Sequence, residues 1–460
     1  MLKSSYVSVG MDVEAAAERI PPKVRSEVPF RLLLMGDFSG RGNRGEPPPS
    51  RLRPYLIDRD NFDQVLARVK PELELGPRGR GINLRFRELE DFHPDNLYQD
   101  AVFDRYREAR RQLPAAPAAP KPSSPLPLPP LSGNLLDDVL EATEGGAAAA
   151  RRPDELRDFI ERATAPYKAP REDPRLAGHI AEVDAATGKL MRAILHDPHF
   201  QALEAAWRAV YWLVRGLETG PQLKLYVLDI GKADLAASLH EIHRLLVDQA
   251  VDTPGAEPWA MAAANYSFTR NEADLHVLSE LGAIMRAAGA PVLAEADPAD
   301  PDTPEAAQRW NALRHSADAS WIGLALPRFL LRLPYGEHTS SVESFAFEEM
   351  PGAPEHQQYL WGNPAFACAY LLAKAFTRDG WDMRPGSHQD ITGLPLHSYE
   401  ADGETQLKPC AEVLMTEHDA EAMLDEGFMP LASIKDQDAA RLVRFQSIAD
   451  PAQALNGRWH

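Results

Sequence analysis

Four short apolar runs, separated by three segments with helical patterning, lie between Leu223 and Pro327, and few folds accept that order. The runs are LKLYVLDI from Leu223, WAMAAANYSF from Trp259, PVLAEA from Pro291 and WIGLALP from Trp321. Leu235, Leu239, Ile242, Leu245 and Leu246 sit between the first two at helical spacing, and Glu272 to Ala288 and Pro304 to Leu313 read as the next two helices. Alternation at this spacing specifies an α/β fold with a mostly parallel sheet covered by helices. The same pattern is compatible with an enzyme or small-molecule-binding protein using the C-terminal edge of the sheet. The loop Asp229-Ile230-Gly231-Lys232 carries one glycine and no phosphate cradle, so nothing there favours that alternative.

Upstream of these runs, Ile194 to Val214 is the strongest single helix in the sequence. Phe200, Leu203, Trp207, Val210, Tyr211 and Val214 share one face, Asp197 is placed to cap the first turn, and Pro198 suits the first helical position. Gly216 is expected to end the helix in a left-handed conformation. A face with Trp207, Tyr211 and the nearby Trp212 needs a large partner surface.

Residues 1–112 read as a small N-terminal α/β unit. Phe30 to Met35 is a buried-strand candidate with a turn at Gly36-Asp37, Tyr55 to Ile57 is a short strand, and Phe62 to Val69 is a helix capped by Asp60 or Asn61. Ile82, Leu84 and Phe86 alternate as in a half-buried strand, and a helix is expected from Asn96 to Gln112. Residues 113–132 are dominated by Pro and Ala and cannot build a core, which marks a linker. Residues 133–193 form a helical region. Its first helix carries Leu135, Leu136, Val139 and Leu140 on one stripe, its second runs from Asp154 to Ala163, and either docks on its own domain or serves as a ligand for another protein. Residues 194–460 hold the α/β core, with Arg328 to His460 loop-rich apart from a helix from Pro364 to Phe376 capped by Asn363.

Several constellations imitate chemistry. Gly40 to Gly45 satisfies GxGxxG after a strand, but Glu46-Pro47-Pro48-Pro49 follows where the fingerprint needs a helix, so a loop is expected. His240-Glu241-Ile242-His243 spaces its histidines three apart rather than the four of a zinc protease, and reads as a solvated helix edge. His196 and His199 flank a cap, and the acid pairs Glu348-Glu349 and Glu90-Asp91 suit a wet surface. GDFSG lacks the order of a nucleophile elbow, and no GxxxxGK[ST] loop occurs. No catalytic residue, cofactor or metal is expected.

Charge narrows the partners. The net charge of -19 is uneven: residues 1–112 hold 20 Lys+Arg against 18 Asp+Glu, whereas residues 133–460 hold 28 against 50. Such a surface repels nucleic acid and anionic lipid. The two cysteines, Cys368 and Cys410, give no disulfide framework, and no run reaches membrane-spanning length, so a cytoplasmic protein without membrane insertion is expected.

Long phrases then agree with one family. PFRLLLMGDFSGR from Pro29, IDRDNFDQVL from Ile57 and FRELEDFHPDNLY from Phe86 resemble the small sheath subunit of type VI secretion systems, the contractile injection machines. HDPHFQALEAAWR from His196, WNALRHSADASWIGLALPRFLLRLPYG from Trp310 and YLWGNPAFACAYLLAKAF from Tyr359 resemble the large sheath subunit. The motif positions are Gly36, Asp37, Phe38, Ser39, Gly40, Phe200, Leu203, Trp207, Trp361, Gly362 and Asn363. The resemblance implies a fusion of small and large subunits, a structural protein with no active site, whose partners are other sheath subunits or copies of itself, the inner tube protein, and baseplate or cap proteins. It also implies that the helix bearing Leu135, Leu136, Val139 and Leu140 is read by a sheath-recycling AAA+ unfoldase. The large-subunit likeness stops near Phe445-Gln446, ahead of the strand-bearing segment that the family carries next. From this a non-propagating terminal or adaptor subunit is expected, the alternative being a subunit whose missing contacts a partner supplies.

Overall fold

A computed structural model of the chain describes residues 28–76, 81–113, 174–299, 301, 303–401 and 403–459. The predicted helix with Leu135, Leu136, Val139 and Leu140, and that from Asp154 to Ala163, lie outside the described residues. The chain divides into a larger unit (residues up to Tyr98, Met191–Glu343 and Glu348 onward) and a smaller one (Gln99–Leu190 with Ser344–Phe347).

Among the described residues the larger unit holds fifteen strands: β1 Phe30–Gly36, β2 Tyr55–Ile57, β3 Glu72–Leu75, β4 Ile82–Arg85, β5 Leu223–Asp229, β6 Met261–Phe268, β7 Val292–Ala296, β8 Ile322–Leu326, β9 Phe329–Leu330, β10 Trp361–Gly362, β11 Asp390–Thr392, β12 His397–Ala401, β13 Glu404–Lys408, β14 Phe428–Ser433 and β15 Ala439–Leu442. Nine of them form one sheet in the order β11-β15-β14-β8-β7-β6-β1-β5-β2, and β3-β4, β9-β10 and β12-β13 form separate pairs. From β14 to β5 every neighbour is parallel, while β2, β15 and β11 are antiparallel additions at the two edges. This is the mostly parallel, helix-covered sheet that the alternation specifies.

The position of β1 could not be read from the local pattern. It lies between β5 and β6, with Leu32 paired to Leu225 on one side and Met261 on the other. The sheet is therefore continuous across the Pro/Ala stretch. Both faces of β1 are covered, which explains why FRLLLM is apolar without alternation. Leu33 and Met35 enter a core with Leu235, Ile242, Leu278, Met285 and Trp310 from the helices on one face. Phe30 turns to the other face, its ring 4.8 Å from Phe376 and 5.6 Å from Trp381 at the end of the Pro364–Asp379 helix.

Four expectations are corrected. The Asn96–Gln112 helix is broken into Pro94–Leu97, a 3-10 turn at Ala101–Phe103 and Asp104–Gln112, because His93 and Asp100 each accept amide hydrogen bonds and start new turns. Gly40–Gly45 is not wholly a loop: Arg41–Arg44 makes one helical turn. The region after Arg328 is less loop-rich than expected, since β9 to β15 and a helix at Glu417–Asp425 lie there; strands of two to six residues carry too little periodicity to be read. Gly216 remains inside the Pro198–Gly216 helix, and the chain leaves through extended Leu217. A Cβ at Gly216 would lie 2.8 Å from the Tyr370 ring, so glycine serves close packing there and not a left-handed turn.

In the smaller unit, Arg110 pairs with buried Asp184 on the Pro174–Leu195 helix, and Asp184 also accepts from the Ala346 amide at 3.4 Å.

Alanine is the better helix former, yet Gly216→Ala is expected to lower the melting temperature, at a cost of about 1–3 kcal/mol from overpacking against Tyr370. A thermal melt showing stabilisation would contradict this packing.

Candidate functional site

The Pro198–Gly216 helix starts as the sequence indicates. The Asp197 carboxylate accepts from the amides of His199 (2.9 Å) and Phe200 (3.4 Å), and Pro198 takes the first position. Its aromatic face meets the chain segment before residue 99. Phe200 is fully buried against Phe86 and Phe92, with centroids 5.9 and 5.8 Å away, and those two rings stack at 4.0 Å. Leu203 is buried beside them along the helix. Trp207 lies edge-on to Phe38 and Phe62, and its indole N–H donates to the Phe38 carbonyl at 2.8 Å. Tyr211 completes the ridge against Phe62 at 5.2 Å. The large partner surface demanded by this helix is thus supplied by Phe38, Phe62, Phe86 and Phe92 of the same chain.

The GDFSG loop is shaped to fit under that ridge. Gly36 ends β1 where a Cβ would come 3.0 Å from the Cβ of Asn265. The Asp37 carboxylate accepts from the Arg41 and Gly42 amides at 2.9 and 2.8 Å. The amides that a dinucleotide phosphate would need are therefore already held by a carboxylate of the chain. Ser39 is buried, and its amide donates to Asp229 at the end of β5 at 2.9 Å. The Arg41 guanidinium pairs with the same carboxylate. Burial raises the Asp229 pKa, and Arg41 with the Ser39 hydrogen bonds opposes that rise. Gly40 has φ 69°, and a Cβ there would sit 2.6 Å from the Glu72 carbonyl oxygen, so no other residue fits.

Trp361, Gly362 and Asn363 lead into the Pro364–Asp379 helix, whose Tyr370 ring stands 4.6 Å from Trp212 of the Pro198–Gly216 helix. Trp361 and Gly362 form β10 against β9, and the Trp361 indole donates to the His356 carbonyl at 3.1 Å. Asn363 caps the Pro364–Asp379 helix through the Ala365 amide (2.9 Å) and donates to Tyr266 O and to Glu295 Oε2, each at 3.2 Å. Burial raises Glu295 to about 7. These three residues and the GDFSG loop do not converge on one cleft; each locks a chain crossing in place.

A buried ionic cluster was missed from sequence. Glu204 lies between Leu203 and Trp207 on the helix and is fully buried, as is Glu349. Arg332 bridges both: its Nε reaches Glu204 Oε1 at 2.8 Å and its Nη1 reaches Glu349 Oε2 at 2.7 Å. Arg208 donates to Glu204 (2.6 Å) and to the Tyr335 hydroxyl (2.7 Å), and the Tyr335 amide donates to Glu349 (2.8 Å). His196 Nε2 stands 3.6 Å from Glu349. Of the pair Glu348-Glu349 only Glu348 is exposed as expected; Glu349 is buried, because Arg332 draws it inward. Burial disfavours its ionisation, but Arg332, His196 and the Tyr335 amide hold its pKa down to about 2. The only hint in the sequence was a glutamate on the apolar stripe of the helix.

The other constellations are self-satisfied. Glu241 pairs with Arg244, and His243 Nδ1 lies 3.2 Å from Asp248. Lys232, beyond β5, donates to Ser267 O and to Asp274, both at 2.7 Å. Arg41–Asp229 and Lys232–Asp274 thus pair at the C-terminal ends of β5 and β6.

Trp207→Ala is expected to cost about 3–5 kcal/mol, and Trp207→Phe about 1–3 kcal/mol for leaving the buried Phe38 carbonyl without its donor, both measurable by urea unfolding. Because the folded pKa of Glu349 lies below its ordinary 4.5, the stability it contributes is present above that value and is lost as the pH falls toward about 2. Glu349→Gln should flatten this acid limb while costing about 3–5 kcal/mol near neutrality through the broken buried pair. An unchanged acid limb in the variant would contradict the assignment.

Comparison with known proteins bears on the same segments. Residues 177–300 and 301–449 match the family described as EvpB/VC_A0108, tail sheath N-terminal domain. Residues 17–115 match the type VI secretion system family described as VipA, VC_A0107 or Hcp2. The type VI secretion system sheath protein TssC1 of Pseudomonas aeruginosa is 34% identical over 306 residues, covering 60% of this chain. The chain spans 61% of the length of that relative. A solved chain from the cryo-EM structure of the anti-feeding prophage baseplate aligns with a TM-score of 0.32 and 15% identity, covering 54% of this chain and 51% of the other, and we draw nothing from a likeness of that size. Segments of both subunit families thus stand in one polypeptide, in the order small then large: the chain belongs to the type VI tail-sheath family, as a fusion of its small and large subunits.

Proposed function

We propose that this protein is a structural component of a contractile injection apparatus, a sheath or sheath-like subunit that works through protein interfaces and not through catalysis. The observation that carries the reading is the union of the two segments in one sheet, with β1 from the small-subunit part between β5 and β6 of the large-subunit part. On this reading residues 1–112 are the small-subunit module, 113–132 a spacer, 133–193 the helical entry of the large-subunit module and 194–460 its core. GDFSG, Phe200, Leu203, Trp207 and Trp361-Gly362-Asn363 are then joints within the larger unit, holding the segment before residue 99 to the large-subunit core. Such joints suit a machine whose work comes from repacking between subunits.

The partners follow from the same reading: copies of this chain or other sheath subunits, the inner tube protein, and baseplate or cap proteins, in the cytoplasm. On the same reading, the segment with Leu135, Leu136, Val139 and Leu140, outside the described residues, is the part that a recycling AAA+ unfoldase would take up. Among the described residues no helix is long and apolar enough to cross a membrane.

Electron microscopy of the purified protein, alone and co-expressed with its neighbouring sheath and tube proteins, tests the reading. Striated tubules from the protein alone, or particles confined to the ends of a partner's tube, would each support it and would separate a propagating subunit from a terminal one. A protein that binds neither tube nor sheath would contradict it.

A further inference from the structure

Two surfaces on opposite sides of β1 in the strand order have complementary character. On the β14 side, residues 400–426 hold nine Asp or Glu against one Lys. Within that stretch Leu407, Val413 and Leu414 are exposed at 41%, 51% and 73%, which is unusual for side chains of this size. One imidazole ties them together: His356 lies 3.0 Å from Lys408 Nζ through Nδ1 and 3.1 Å from Glu412 Oε1 through Nε2, so Leu407 and Val413 flank it. Glu417 and Glu421, exposed one turn apart on the following helix, complete an acidic border. The segment is fixed to the β14 side of the sheet, where the Ala411 amide donates to the Ser433 hydroxyl at 2.8 Å.

At the far edge, β2 carries Leu56, 45% exposed, over a groove of about 500 Å³ lined by Arg53, Tyr55, Leu56, Gln64, Val65 and Arg68. Among the described residues no carboxylate lines it. Six strand spacings separate β14 from β2, about 29 Å at the usual 4.8 Å each, so the two surfaces cannot meet within one molecule.

We propose that they meet between copies, the Val413-Leu414 apex of one chain seating in the Arg53/Arg68 groove of the next, with Glu417 and Glu421 facing the arginines. The contact is heterologous, joining different surfaces of the two copies, and such contacts build rings or open helical stacks instead of closed dimers. This inference rests on the reading that the protein works by assembly, and it names one contact for that assembly.

Sedimentation velocity of the full chain at low salt, across a concentration series, is the test. Reversing the groove (Arg53→Glu with Arg68→Glu) or the border (Glu417→Lys with Glu421→Lys) is expected to weaken self-association at least about tenfold, since like charges then face each other. Combining all four substitutions is expected to restore association to within about threefold of wild type. Thermal melts of each variant must match wild type, as surface changes of this kind allow. A wild type that stays monomeric to about 100 µM, reversals without effect, or a fourfold variant no better than its parents would each overturn the contact. Those results leave the sheath reading standing or falling on the microscopy above, where failure to bind tube or sheath is a different outcome.

Discussion

A strand in the middle of a parallel sheet must find hydrogen-bond partners on both sides, and β1 finds its partners more than 180 residues away along the chain. Its backbone is paired to β5 from Phe30 to Gly36 and to β6 from Leu32 to Met35. Removing it would leave the inner edges of β5 and β6 with unpaired amides and carbonyls buried under helices on both faces, a cost no core of this size absorbs. The architecture of the larger unit follows from that requirement.

The Pro198–Gly216 helix is the second consequence. With β1 in place, the GDFSG loop emerges under the helix, and Trp207 closes the crossing by donating to Phe38 O. Four phenylalanines from before residue 99 cover a ridge that would otherwise be a large exposed apolar patch. The same helix also sends Glu204 inward, and the fold answers with Arg332 and Arg208. A buried pair of this kind adds little net stability against apolar packing, but it is strongly destabilising when half of it is removed, so it fixes which segments meet.

Much of this was legible and some was not, for separable reasons. Asp197 and Asn363 were readable as caps because a cap is a local hydrogen bond. Phe30 to Met35 was readable as a strand because burial on both faces leaves an unbroken apolar run. Its slot in the sheet was not readable, since register depends on residues far along the chain. Gly216 misled because helix C-termini and close helix contacts both select glycine, and only the position of Tyr370 distinguishes them. Glu349 misled because its partner Arg332 is seventeen residues away across a loop, outside any helical or strand period. The strands after Arg328 are short, two to six residues each, and Leu56, Val413 and Leu414 carry no periodic signal at all.

The central claim is that the two sheath segments form one sheet with β1 inside it. Native-state hydrogen exchange of the full chain measures this directly, because protection reports the free energy of opening each amide. The expected result is that the Leu32–Met35 amides exchange as slowly as those of Met261–Ala264, their partners in β6. If the β1 amides exchanged much faster, opening while β6 stayed closed, the first segment would be a docked satellite and the single-sheet account would be wrong.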